Sequence, residues 1–119
     1  MSQGGVLYRW NLDTGEQRLV RPNPPTPETE LRFNWNAAIA LDPLETGTLY
    51  YGSQFVHKSQ NRGETWQIIS GDLTTNDPAK QRQGESGGIT RDATGAENHT
   101  TILTIAPSSV EAEVIWVGS

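Results

Sequence analysis

The chain has 119 residues, 34% of them hydrophobic and 19% charged, with a net charge of -5. That length suits one small domain with a single core. Scattered rather than clustered Lys and Arg in an acidic chain argue against a nucleic-acid partner. No apolar run is long enough to span a bilayer, and the absence of Cys excludes disulfides and thiolate metal sites.

Alternation and turn punctuation predict eight short strands. The first two, GVLYRWN (5–11) and EQRLVRP (16–22), flank a tight turn containing Asp13 and Gly15. Pro22, Pro24, Pro25 and Pro27 then forbid a regular ladder. In NWNAAIALDP (34–43), the run Ala37 to Leu41 reads as a strand buried on both faces. TLYYGS (48–53), FVHKS (55–59) and TWQIIS (65–70) follow. Residues 71–100 are polar, without helical period, and read as an inserted loop. TILTIAPS (101–108) and VIWVGS (114–119) close the chain as a strand pair.

A repeat is present: residues 39–53 align with 104–119, each an apolar strand, a turn and an aromatic-rich strand ending in Gly-Ser. The period of about 65 residues exceeds the ~40–50 of a propeller blade, with the 71–100 loop as the excess. If the four strands of a blade are A to D from the channel outward, the chain reads C-D, A-B-C-D, A-B. The expected fold is all-β, a partial β-propeller of antiparallel four-stranded blades. One domain, 1–119, comprises a C-D half-blade (5–22), a complete blade (34–70), the inserted loop (71–100) and an A-B half-blade (101–119).

The hairpin turn SQNRGETW carries its own hydrogen-bonding residues: Ser59, Asn61, Gly63 and Thr65 organise it and Trp66 anchors it. Asn61 is expected to bond nearby amides and to tolerate a left-handed backbone. The spacing Ser-x-Asn-x-Gly-x-Thr-Trp resembles the Asp-box of sialidase-type and sortilin-type propellers, with Asn61 in place of the usual Asp. The succession YRWNLDTGEQRLVRP, FNWNAAIALDP, GTLYYGSQFVHKSQNRGETWQIISGDLTTND, TGAENHTTILTIAPS and VIWVGS extends the likeness. It resembles the bacterial BNR-repeat, "glycosyl hydrolase-like" propellers, relatives of sortilin-type and xyloglucanase domains. The resemblance implies a secreted or periplasmic origin and a piece of a larger propeller, in which further strands follow the last Gly-Ser.

Cut half-blades would leave an unpaired strand C in the first pair and an open strand B in the last. Self-association is therefore expected, one copy's C-D half-blade completing another's A-B half-blade; three copies would give six blades. Catalysis of glycoside hydrolysis needs two carboxylates about 5–10 Å apart. Among the loop acids Asp72, Asp77, Glu85, Asp92 and Glu97, the candidates are Asp92 and Glu97, five apart in the loop leading into TILTIAPS, with His99 beside them. The plainer reading is a solvated turn-rich loop. Arg32, Asn34, Trp35 and Asn36 stand at the entrance to the buried strand and are the ligand-contact candidates, for a carbohydrate or a protein.

Trp66 and Trp116 read as core. His57 and His99 have no metal-ligand spacing, and His57 is expected to point outward. The carboxylate-rich 71–100 loop leaves room for a Ca²⁺ site, though without the D-x-D-x-D-G pattern; no other cofactor or metal is expected. GESGG (84–88) lacks the strand-turn-helix context of a nucleophile elbow. Two readings of function stand: a non-catalytic structural or binding propeller module, or part of a glycan-acting hydrolase.

Overall fold

The computed structural model describes residues 2–85 and 96–119. The fold is built from three antiparallel sheets. β1 (Ser2–Gln3), β2 (Val6–Trp10) and β3 (Gln17–Leu19) form the first, in that order. β4 (Ile39–Leu41), β5 (Leu49–Gly52), β6 (Val56–Ser59) and β7 (Gln67–Ile68) form a four-stranded meander. β8 (Thr104–Pro107) and β9 (Ile115–Gly118) form the third. Helical structure among the described residues is confined to two single 3-10 turns, Pro78–Lys80 and Gln83–Glu85.

Each expected run contains one strand, shorter than its alternation suggested. β1 was not expected. A turn at Gly4-Gly5, both at positive φ, folds Ser2–Gln3 back so that Gln3 pairs with Val6 and Ser2 with Leu7. The edge of β2 away from β3, expected to be unpaired, is thus covered over two residues.

β5, in the second sheet, is buried on both faces. Successive side chains of a strand point oppositely, so Tyr51 and Tyr50 leave β5 on different sides. Tyr51 packs with Leu7, Val20, Leu31, Phe33 and Ala37, joining the first sheet to the second. Tyr50 packs with Ala38, Val56, Ile102 and Ile105, joining the second to the third. Both rings are essentially inaccessible, and burying each contributes about 3 kcal/mol before ordering entropy is charged.

Two expectations about burial are corrected. Ala37 and Ala38 are buried, but Ile39 and Leu41 are 48% and 75% exposed. They point toward the first sheet, whose β2, β3 and short β1 do not cover them. Trp116, expected in the core, is 71% exposed. Its neighbours Ile115 and Val117 face the middle sheet, which sends Trp116 out of the opposite face.

Strand register shifts the first strand of the repeat by one residue from its sequence alignment and keeps the second. Ile39 pairs with Tyr51 as Ile105 pairs with Val117, and Ala40 with Tyr50 as Ala106 with Trp116. Equivalent residues are therefore 66 positions apart (39 to 105, 51 to 117). The turns obey the same offset. Asp42 Oδ1 accepts from the amides of Leu44 and Glu45, and Ser108 Oγ accepts from those of Val110 and Glu111. Gly47 and its equivalent Glu113 both have left-handed φ, 88° and 65°.

Candidate functional site

An antiparallel meander sends alternate connections to opposite ends of its sheet. One end carries the turns 11–16, 42–48, 59–66 and 108–114. The other gathers 21–36, 53–55, the described parts of 71–103, and Ser119. These two ends do different things.

At the turn end, Ser59 to Trp66 forms a closed network. Ser59 Oγ accepts from the Gly63 amide at 2.8 Å and donates to Asn61 Oδ1. Asn61 Oδ1 also accepts from the Thr65 amide at 2.9 Å, while its Nδ2 donates to Thr65 Oγ1 at 2.9 Å. The left-handed residues are Arg62 and Gly63, φ 60° and 87°, and not Asn61. Asn61 acts by its side chain alone, across the turn that Arg62 and Gly63 reverse.

That turn is docked onto the first sheet. Trp66 Nε1 donates to the Val20 carbonyl at 2.7 Å. Glu64 receives Arg9 and Arg18, with Arg18 at 2.8 Å, and their hydrogen bonds, Arg9 first, hold its carboxyl below the usual range. A Cβ on Gly63 would lie 2.9 Å from Val20 Cβ, so glycine is needed for close approach as well as for φ.

The opposite end holds the ligand-contact candidates. Arg32 is committed internally. Its backbone amide donates to Gln54 Oε1, its Nε to the Thr100 carbonyl, and its guanidinium to Asp72 Oδ2 at 2.8 Å. Partial burial pushes the Asp72 carboxyl up, but bonds from Thr74 and Arg32 outweigh this and leave it below its ordinary value. Arg32 therefore ties three segments together and is not free to meet a ligand.

Trp35 and Glu97 are brought together: the indole N–H donates to Glu97 Oε1 at 3.1 Å. Asn34 lines a cleft of about 160 Å³ with Thr74, Asn98, His99, Thr101 and Ser119. Asn98 reaches across it to donate to the Phe33 carbonyl at 3.0 Å. Asn36 is exposed. Asp92, the other half of the carboxylate pair, lies outside the described residues, as does most of GESGG. Asp77 caps the first 3-10 turn through the Ala79 amide. No group of three or more metal-ligating side chains occurs among the described residues.

Sequence reasoning missed a buried polar pair here. Ser53 Oγ and His57 Nε2 are 2.8 Å apart, and both residues are fully buried. His57 does not point outward; it lies edge-on to Phe55 and Trp66. Burial lowers its pKa to about 4, so the ring is neutral at pH 7. The pair has the distance of a nucleophile and its base, but no solvent-facing side from which a substrate could approach. Strand alternation could have found it, because His57 pairs with Tyr51 and so shares its inward direction.

The turn end is thus a structural fastener. The other end offers hydroxyl and amide groups around a small cleft, suited to hydrogen-bonding a neutral polar group. Neither a protein-family model nor a curated protein matches the chain.

Proposed function

We propose that the chain is a non-catalytic structural and binding section of a β-propeller of the BNR-repeat type. Its sheets act as blades and the Ser59–Trp66 turn as an Asp-box. The observation that carries this reading is the face-to-face stacking of three antiparallel sheets, with β4–β5 of the second and β8–β9 of the third repeating strands and turn at one offset. Propellers are built by such radial repetition. The second sheet is then a complete blade, β2–β3 an outer hairpin and β8–β9 an inner one.

Binding belongs to the end bearing Asn34, Trp35 and the Thr-rich cleft, with a carbohydrate or a protein loop as ligand. The non-catalytic reading is favoured because three of the described carboxylates there already serve the fold: Asp72 holds Arg32, Asp77 caps a turn and Glu97 accepts from Trp35. Glycoside hydrolysis needs a carboxylate pair about 5–10 Å apart across the bond to be cleaved. The test is incubation with β-glucan and xyloglucan oligosaccharides, followed by reducing-sugar assay and calorimetry. No sugar release is expected, and any weak binding should fall at least about tenfold in Asn34→Ala and Trp35→Ala. Sugar release abolished by Glu97→Gln would replace this reading with that of a glycan-acting hydrolase.

A further inference from the structure

Equivalent positions of the repeat differ sharply in exposure. Ile105 is 8% exposed and Ile39 48%; Tyr50 is 1% exposed and Trp116 71%. Their strand registers are the same, so the difference lies in what covers each sheet. Ile105 is covered by β4 and β5, whose Tyr50 packs in the same cluster. Ile39 and Leu41 face the side of the first sheet, where β2 and β3 form an outer hairpin and inner strands like β4–β5 are missing among the described residues. The position that would cover Ile39 is the one equivalent to Tyr50. Trp116 occupies that position in β9 and is itself uncovered.

The geometry points to a second copy of this chain as the missing piece. We propose that β8–β9 of one copy lie along the inner edge of β2 in another, so that Trp116 seats on Ile39 and Leu41. The proposal rests on reading the sheets as blades, and it continues the interface already formed by Tyr50 and Ile105 within one chain. The composite sheet would be β8 and β9 of one copy with β2 and β3 of the next, in the order of the middle sheet. It would also face Tyr8 and Leu19, 48% and 56% exposed, toward the neighbouring blade, where Ile69 is 40% exposed.

β1 stands in the way. It holds the edge of β2 at Val6 and Leu7, and docking must displace it. A two-residue strand is a weak competitor, so β1 acts as a removable cover that lowers association without preventing it. Besides β1, the described residues of each copy carry eight strands, two blades' worth. Propellers close at about 4–8 blades, so head-to-tail contacts would close with about two to four copies, three giving six blades.

The chain has no Cys, which makes a directed cross-link clean. Copies bearing Ile39→Cys are mixed with copies bearing Trp116→Cys and treated with a short bismaleimide. In parallel, light scattering from about 1 to 200 µM follows the native chain, Trp116→Arg, and a chain starting at Gly4. The expected results are a native mass two to four times 13.1 kDa, a monomeric Trp116→Arg that keeps its β circular dichroism, and a cross-link formed in the mixture. Association of the chain starting at Gly4 should tighten by about tenfold or more. A native chain monomeric at 200 µM overturns the second copy as occupant and leaves the stacked sheets untouched. Association that survives Trp116→Arg and gives no cross-link overturns the blade reading with it.

Discussion

His57 is a residue whose chemistry is set by burial. With its folded pKa near 4 and an ordinary value near 6.5, folding favours the neutral ring. The stabilisation is complete above about pH 6.5 and is lost as pH falls toward 4, on the order of 3 kcal/mol in all. Urea unfolding at pH 7 and pH 4.5 should show that loss, and His57→Gln should flatten it whatever its absolute stability. The carboxyls of Asp42, Glu64 and Asp72 are held low, so their contributions are lost at more acid pH. An equally steep pH 7 to 4.5 loss in His57→Gln would refute the assignment. Asp42 is held low chiefly by the Tyr50 hydroxyl, at 2.7 Å, and the same bond, after burial, pushes the phenol up.

At the scale of elements, the Ser59–Trp66 hairpin separates two kinds of requirement. Asn61 supplies an acceptor to Ser59 and the Thr65 amide and a donor to Thr65 Oγ1. Asn61→Asp keeps both acceptor roles, and Thr65 can reverse its hydroxyl, so the change should stay within about 0.5 kcal/mol. Gly63→Ala meets both the positive φ and the Val20 contact, and should cost about 3 kcal/mol. Thermal melts of the two variants decide this, and equal costs would sink it. The repeat supplies a matching test in the β8–β9 turn. Glu113 occupies the left-handed position that Gly47 fills in the β4–β5 turn, so Glu113→Gly should stabilise by about 1 kcal/mol. A lower midpoint in denaturant would contradict it.

For the whole molecule, the radius of gyration is 15.1 Å, against about 13.5 Å for a compact chain of this length. The excess fits a stack of sheets with uncovered outer faces rather than one rounded core. Val6, Tyr8, Trp10 and Leu19 on the first sheet and Trp116 on the third are the exposed apolar side chains of those faces. If copies cover them, the melting temperature must rise with protein concentration by mass action. It should do so for the native chain and not for Trp116→Arg. A concentration-independent midpoint in both would oppose the association argued above.

Strand order, the three sheet groupings and the Ser59–Trp66 turn were legible in the sequence, because they depend on local chemistry: alternation, turn residues and a fixed side-chain spacing. The pairing of Trp35 with Glu97 and of Arg32 with Asp72 was not, since each joins segments far apart in the chain. Whether Ile39, Leu41 and Trp116 are covered was equally illegible. Apolar alternation says which way a side chain points relative to its sheet, but not whether another sheet stands opposite. The same limit misplaced His57, whose polar ring suggested solvent until Tyr51, Phe55 and Trp66 closed around it. The sequence by itself determined β2 to β9 and how the Ser59–Trp66 turn is fastened. Tertiary structure decided which faces are core, because burial is a property of two surfaces and each strand carries only one of them.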